Sequence, residues 1–174
     1  MLSRKSYTPL VTLAQMKEHL RIDPDEIEED DLIGTLIDAA SAYIDGPRGV
    51  LGRCVAVQEW TLTLPEFSAP QRLPLPFLSL ATAVSLLDDT PVPLRLMPCG
   101  IWSDAAPVAG DAGAVRIEMS AAAPEDLWPV VSAAIKLLVA HWYLNREAVV
   151  TGTTATNLPL AVDRLLTPLK VSWV

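Results

Sequence analysis

Two histidines are the side chains in this chain best suited to general acid–base chemistry. His19 and His141 are the only histidines, so a small hydrolase would have to use His141 with one of the acids. His141 directly precedes Trp142 in a segment with helical spacing, and this favours a polar cap or packing role. The glycine-rich phosphate loop, the GxSxG motif and the HExxH motif are all missing from the sequence. The sequence therefore predicts no catalytic residues.

Carboxylates cluster twice, and both clusters have a structural interpretation. The run from Asp25 to Asp31 lacks the alternating ligands and central glycine of a calcium loop, and is typical of a solvated helix entry. Asp88 and Asp89 favour turn chemistry over a paired catalytic acid and base. Cys54 and Cys99 have neither CxxC nor metal-ligand spacing, which predicts buried thiols. We expect no metal and no cofactor.

Composition limits the class of protein. With 174 residues, of which 51% are hydrophobic, the chain can form one domain with extensions, and its apolar content favours contacts between subunits. The formal net charge of -8 opposes general nucleic-acid binding, because phosphate contacts require clustered Lys and Arg. No signal sequence and no run of about 20 apolar residues is evident, so we expect a soluble, intracellular protein without membrane contact.

Helical patterns flank a β-like region. Thr12 and Gln15 fit a capping box, which predicts a short helix from Leu13 that carries Met16 and Leu20 inward and ends before Pro24. A second helix is predicted from Leu32 to Ile44 by apolar spacing, followed by Gly46-Pro47. Both helices belong to an expected N-terminal segment, residues 1–53.

The middle of the chain, residues 54–120, has the two-residue alternation of strands. From Val55 onward the pattern is that of a half-buried strand, with Thr61 and Thr63 opposite the apolar residues Val55, Val57, Trp60, Leu62 and Leu64. Val84–Leu87 indicates another strand that enters a turn at Asp88-Asp89. Thr90–Gly113 reads as loops around short strands, and Ala114–Met119 as a further strand. A small antiparallel β insertion follows from these patterns.

Two helices and a tail complete the chain. The run Pro129–Val150 carries a wide apolar stripe and predicts a long helix with Pro129 in its first turn. Leu160–Leu166 predicts a last short helix. Both helices belong to an expected C-terminal segment, residues 124–167. Pro168 ends that helix, so residues 168–174 should leave as an extended arm. The predicted fold is α+β, mainly α: one domain of about four helices with a small antiparallel β insertion and an extended C-terminal arm.

Three segments carry a resemblance to a known family. These are Leu10–Leu13, Pro129–Val150 with its HWYxNRE-like pattern, and Leu158–Leu166, in this order along nearly the whole chain. The chain resembles the head-tail connector proteins, also called adaptors or head-completion proteins, of tailed bacteriophages, prophages and gene transfer agents. The stretch Thr90–Gly113 carries no family signature.

The resemblance implies a structural virion protein rather than an enzyme. It implies assembly in the host cytoplasm and a place in the virion neck, with about twelve copies in a ring on the portal protein. Such a ring would extend the DNA channel to a tail-side stopper or tail-terminator protein. Double-stranded DNA would pass through it without sequence-specific binding. A cytoplasmic interaction adaptor unrelated to phage is the alternative.

Two segments are candidates for contacts with the portal or a neighbouring subunit. Asn145, Arg146 and Glu147 at a helix end could form charge-assisted bonds within the chain or across to another copy, and both possibilities stay open. The arm could add to its own sheet or to a partner, and the partner is favoured. The candidate residues are Trp142, Tyr143, Asn145, Arg146, Glu147, Leu169, Lys170, Val171, Ser172, Trp173 and Val174.

Overall fold

The computed structural model describes residues 1–67, 70–145 and 160–171, which form two compact units. The β unit comprises Met1–Thr8 and Arg53–Pro124, and the helical unit comprises Pro9–Gly52 together with Glu125–Val174. Each unit is therefore built from two separate segments of the chain. The predicted α+β class is confirmed, although the strands occupy a larger share of the chain than "mainly α" implies.

The β unit contains two antiparallel sheets in its described residues. The strands are β1 (Leu2–Tyr7), β2 (Gln58–Leu64), β3 (Gln71–Arg72), β4 (Leu78–Ser85), β5 (Pro91–Val92), β6 (Leu94–Cys99), β7 (Trp102–Pro107) and β8 (Val115–Ala121). One sheet has the order β1-β2-β8-β4-β5, and the other has the order β3-β7-β6. The hairpin of β6 and β7 shows that Thr90–Gly113 is more regular than the sequence predicted.

The alternation seen in the sequence sets the inner face of the five-stranded sheet. Trp60 and Leu62 on β2 are buried opposite Met119 and Ile117 on β8. Period-two burial of this kind is expected when one face of an antiparallel sheet packs on a core. The predicted strand at Ala114–Met119 is confirmed, and the strand predicted from Val55 onward is present but begins at Gln58.

The first strand was not predicted. Strand β1 pairs antiparallel with β2, and its register shifts between Arg4 and Ser6. Its four central residues are exposed, so no apolar alternation marks it in the sequence. Its pairing with β2 supplies the backbone hydrogen bonds that stabilise this edge strand.

The helical unit contains four α-helices among its described residues: α1 (Leu13–Leu20), α2 (Asp30–Ile44), α3 (Trp128–Leu144) and α4 (Leu160–Leu166). The Thr12–Gln15 capping box is present with both of its hydrogen bonds. Helix α1 does not run to Pro24 as expected; it ends at Leu20 because Arg21 adopts a left-handed conformation with φ 60°. A single turn of Glu125–Leu127 leads into α3.

Helix α3 is the core helix of this unit. Its buried residues are Val131, Ala134, Ile135, Leu138 and Val139, and it packs chiefly on α2. The stretch Glu125–Leu144 is long and apolar enough to cross a membrane. The expectation that no segment has this length and composition is therefore wrong. One face of this helix, which includes Val131 and Ile135 at 0% exposure, is buried, as in a helix that packs one side against a core.

The two cysteines differ in their environments. Cys54 is buried in the apolar core of the β unit, as predicted. Cys99 is exposed at the end of β6, which corrects the prediction that both thiols are buried. The apolar residues near Cys99 belong to a hairpin end, where side chains meet solvent.

Candidate functional site

The aromatic end of α3 is anchored inside the helical unit. The ring of Trp142 meets the ring of Tyr43 on α2 edge-to-face, with 6.4 Å between the centroids and an interplanar angle of 73°. The Tyr143 hydroxyl donates a hydrogen bond to the carboxylate of Glu29, at the start of α2. Both candidate residues are half-buried, so the aromatic pair fixes the end of α3 against α2.

Asn145 closes the same helix. Its backbone N–H donates to the carbonyl oxygen of His141 at 3.1 Å, and its side-chain Nδ2 donates to that oxygen at 2.7 Å. Nδ2 also lies 3.4 Å from Nδ1 of His141. Asn145 therefore forms a C-terminal cap within the chain while it stays exposed to solvent. Arg146 and Glu147 lie outside the described residues.

The first part of the arm is tied to the helical unit. After α4, a single 3₁₀ turn, Thr167–Leu169, includes Pro168, so the extended segment begins at Lys170 rather than at Pro168. The Nζ atom of Lys170 lies 3.0 Å from Oδ1 of Asp163, and the backbone N–H of Val171 donates to the carbonyl oxygen of Leu51 at 2.9 Å. These bonds fix the point from which the arm continues. Ser172, Trp173 and Val174 lie outside the described residues.

A buried lysine organises the acidic segment that precedes α2. Lys17 is only 4% exposed, and its Nζ donates to the carbonyl oxygens of Pro24, at 3.0 Å, and of Glu26. It also lies 2.9 Å from Oδ1 of Asp30. The role of Lys17 was not predicted from the sequence. The available signal was a lysine shortly before the acidic run from Asp25 to Asp31. The acidic run therefore encloses a protein cation.

The chemistry considered from the sequence finds no support in the geometry. Within residues 1–67, 70–145 and 160–171, no three His, Cys, Asp or Glu side chains are grouped closely enough to hold a metal ion. His141 is exposed and its described side-chain contact is with Asn145. A base at that position would need a neighbouring nucleophile, and an amide is not one.

The Asp88-Asp89 pair forms a turn, as predicted. Oδ1 of Asp88 accepts hydrogen bonds from the Thr90 backbone N–H, at 3.3 Å, and from the Thr90 hydroxyl, at 2.8 Å. Hydrogen bonds from Ser85 first, and then from Thr90, lower the pKa of Asp88 below its ordinary value. The carboxylate is exposed and charged at neutral pH, as expected for a turn residue.

Comparisons with known proteins agree with this description. Residues 10–82 match the family model described as phage gp6-like head-tail connector protein. Two solved structures cover 100% of this chain and 97% of their own: the neck of an empty gene transfer agent (GTA) particle computed with C6 symmetry, at 20% identity and a TM-score of 0.70, and the virion of a native GTA particle, at 23% identity and 0.69. No curated protein gives a significant sequence match.

These findings bear on the resemblance predicted from the sequence. The predicted resemblance to the head-tail connector proteins is confirmed by the family model over residues 10–82 and by the fold of the whole chain. The matched family and both assemblies are structural rather than enzymatic, in agreement with the prediction of a protein without an active site.

Proposed function

We propose that this protein is a head-tail adaptor that docks as a ring on a portal protein and extends the DNA channel toward the tail or stopper protein. The observation that carries the proposal is the match of the complete chain to a chain from a GTA particle neck, with a TM-score of 0.70. Because a fold by itself does not define a role, the match of residues 10–82 to the head-tail connector family model is the second support for the proposal. The protein would act in the virion neck after assembly in the host cytoplasm.

The arm is the proposed portal-binding element. Lys170 and Val171 are bound to Asp163 and Leu51 of the same unit, so the position from which Ser172 to Val174 continue is set before docking. An anchored starting point lowers the entropy lost when a peptide binds. A ring of about twelve copies would present as many arms to the portal, and each bound arm would raise the effective concentration of its neighbours.

The charge of the chain suits the channel role. The net charge of -8 disfavours adhesion of the DNA backbone, since like charges repel. Lys and Arg number 13 against 21 Asp and Glu, and counterion release on phosphate binding requires clustered cations. DNA is therefore proposed to pass through the ring without specific binding.

Mass determination by light scattering tests the proposal, with the protein measured alone and then mixed with the portal protein of the same genetic element. We expect the portal to gain many copies. Trp173→Ala, or removal of Ser172 to Val174, should abolish binding, because the anchors at Lys170 and Val171 remain but the docking residues are lost. Val108→Ala is the matched control, since Val108 is 60% exposed and lies in the β unit, outside both candidate segments.

Two outcomes would overturn the proposal. A protein that never joins the portal would remove the adaptor function, and a non-phage interaction adaptor would then be the better description. A truncated protein that binds as tightly as the intact one would exclude the arm from docking. No described contact of His141 supports the hydrolase alternative.

A further inference from the structure

Helix α3 has a second apolar face that the described part of the chain leaves uncovered. The stretch Glu125–Leu144 is apolar enough for a membrane span, yet only 28% of its most apolar 18 residues is buried. Leu144 is 76% exposed, Leu137 is 38% exposed, and Ala133 is also exposed. A contiguous apolar face in contact with water is typical of a surface that a partner covers. We define the outer face of α3 as Ala133, Lys136, Leu137, Ala140 and Leu144.

The outer face of α3 contains a hole that can accept one side chain. Positions i, i+3, i+4 and i+7 of a helix surround such a space in knobs-into-holes packing. In α3 these positions are Ala133, Lys136, Leu137 and Ala140. Because two of the four are alanines, an inserted side chain can approach the helix backbone closely. The face therefore suits a single projecting apolar side chain.

Lys136 gives the outer face a positive charge. Helix α3 contains no Asp and no Glu, although the chain as a whole has a net charge of -8. Within residues 1–67, 70–145 and 160–171, Lys136 forms no ion pair. An apolar group that carries a negative charge therefore complements this face.

The acids of the neighbouring helices do not cancel this charge. Three acids in or beside α2 and α4 already have partners: Glu29 with Tyr143, Asp30 with Lys17, and Asp163 with Lys170. Three others are exposed on the sides of α1 and α2 that face away from their buried residues: Glu18, Asp31 and Asp38. Glu125 and Asp126 precede α3, and a helical rise of about 1.5 Å per residue places them at least roughly 15 Å along the axis from Lys136. Salt largely screens exposed charges at that distance.

A turn of the β unit has the complementary character. Leu87 is 87% exposed between β4 and β5, and it is preceded by the exposed Leu86 and followed by Asp88 and Asp89. A leucine as exposed as Leu87 gains favourable burial of apolar surface only in a complex. We call Leu86–Asp89 the Leu87 turn.

Hydrogen bonds hold the Leu87 turn in one conformation. The Leu86 N–H donates to the Ala114 carbonyl oxygen at 2.9 Å, and the Leu87 N–H donates to Oγ of Ser85 at 3.2 Å. A projection that is already ordered loses little conformational entropy on binding. Arg116 lies opposite Val84 on the adjacent strand, but no ion pair between described residues joins it to the acids of the turn.

We infer that the Leu87 turn of one copy packs on the outer face of α3 of the next copy. Leu87 enters the hole, and Asp89 faces Lys136, since Asp88 already accepts hydrogen bonds from Thr90. A cyclic ring requires a head-to-tail interface in which each copy offers two different surfaces. This chain supplies both an acidic apolar projection and a basic apolar face. The inference rests on the proposed ring function and names its lateral contact.

Disulfide trapping between copies tests the contact directly. In a Cys99→Ser background, which removes the exposed thiol, a Leu87→Cys variant is mixed with an Ala133→Cys variant under mild oxidation. The mixture is examined both as concentrated free protein and on the portal. We expect a covalent dimer and nothing larger, because each variant supplies one half of the interface. A chain with both substitutions should give a ladder of larger species.

Ala39→Cys is the matched control for Ala133→Cys. Ala39 is an exposed alanine in a helix of the same unit, but it lies on α2, outside the outer face of α3. We expect Leu87→Cys to give several-fold more dimer with Ala133→Cys than with Ala39→Cys. No excess, either in free protein or on the portal, would overturn the inference. Equally efficient dimers of Leu87→Cys alone or of Ala133→Cys alone would also overturn it, because they would indicate a symmetric contact.

Charge reversal tests the pairing of Asp89 with Lys136. Asp89→Lys in the Leu87→Cys chain, or Lys136→Glu in the Ala133→Cys chain, should each lower the yield of the dimer. The mixture that carries both reversals should recover it, since opposite charges face each other again. A yield that falls further with both reversals than with either one would show that these two charges do not meet, and the assigned contact would be wrong.

Binding to the portal separates this inference from the proposed function. Lys136→Glu should lower the number of copies per portal while single copies still bind through the arm. If Lys136→Glu weakens the binding of single copies and no trapped dimer forms, the outer face of α3 contacts the portal, and the inference is wrong while the adaptor function stands. If the unaltered protein does not bind the portal, the adaptor function fails, and trapping in free protein still decides the contact between copies.

Discussion

The Nζ atom of Lys17 lies 2.9 Å from Oδ1 of Asp30, and the lysine side chain is 6% exposed while the aspartate side chain is 29% exposed. The same nitrogen binds the carbonyl oxygens of Pro24 and Glu26. One cation thus joins α1, the acidic segment and the first turn of α2.

Replacement of Lys17 by Met should lower the free energy of unfolding by about 1–3 kcal/mol, because the carbonyl oxygens of Pro24 and Glu26 lose a buried donor and Asp30 loses its cation. Lys5→Met is the matched control. Its ion pair with Glu118 spans 3.4 Å between side chains that are 55% and 46% exposed, and an exposed pair contributes about 0–1 kcal/mol. Urea unfolding followed by circular dichroism measures both. Equal losses for the two variants would show that burial does not strengthen the Lys17 contacts.

The hydroxyl of Tyr143 should stabilise the aromatic end of α3. Tyr143→Phe removes the hydrogen bond to the Glu29 carboxylate and should lower the free energy of unfolding by about 1–2 kcal/mol. Tyr43→Phe keeps the ring that meets Trp142 and should have almost no effect, since the Tyr43 side chain is 44% exposed. Thermal unfolding of both variants distinguishes them, and an unchanged Tyr143→Phe would contradict the assigned bond.

Two glycines of the helical unit should respond to alanine in opposite directions. A Cβ at Gly49 would lie 2.7 Å from the carbonyl oxygen of Ile44 and 2.9 Å from the backbone nitrogen of Asp45, so the backbone would have to shift. Gly49→Ala should therefore cost about 1–3 kcal/mol. Gly34→Ala meets nothing within 4 Å in α2 and should stabilise by about 0.5–1 kcal/mol. The midpoints of chemical unfolding of the two variants show whether each substitution stabilises or destabilises the protein.

Acid should selectively weaken the turn that contains Asp88. The pKa of Asp88 is lowered by hydrogen bonds from Ser85 and Thr90, so the folded state favours the charged carboxylate. This stabilisation is present above the unfolded pKa and is lost as the pH falls through the lowered folded pKa. Asp88→Ala should thus be less stable than the unaltered protein at neutral pH, and the difference should vanish in strong acid.

Asp88→Asn provides the control for the acid prediction. The amide keeps an oxygen acceptor for Thr90 but does not titrate, so its stability should lack the contribution that changes with pH. Unfolding curves at a series of pH values compare the three proteins. A constant difference between Asp88→Ala and the unaltered protein across the acid range would contradict the role given to the charged form.

The helices were predictable because their signals are local. The Thr12–Gln15 capping box places the start of α1, and the limits predicted for Leu160–Leu166 agree with α4. Apolar residues repeated at helical spacing likewise indicate α2 and α3, since one face of each must be buried. Short-range sequence is sufficient where neighbouring residues make the stabilising bonds.

The end of α1 was predicted less well than its start. Pro24 was expected to end the helix, but Arg21 ends it with a left-handed backbone. Arginine rarely adopts a left-handed backbone conformation, so the sequence does not indicate that α1 ends at this residue. The burial of Lys17, which depends on carbonyl groups from the following segment, stabilises the chain path beyond this point.

The sequence alone determined the helices, the alternation of the central strands, the structural class and the resemblance to head-tail connectors. Tertiary structure alone decided the edge strand β1, the enclosure of Lys17, the exposure of Cys99 and the link between Val171 and Leu51. The physical reason is the range of the interactions. Caps and apolar periodicity act within a few residues, whereas strand pairing and burial of a charge depend on partners that only the folded chain brings together.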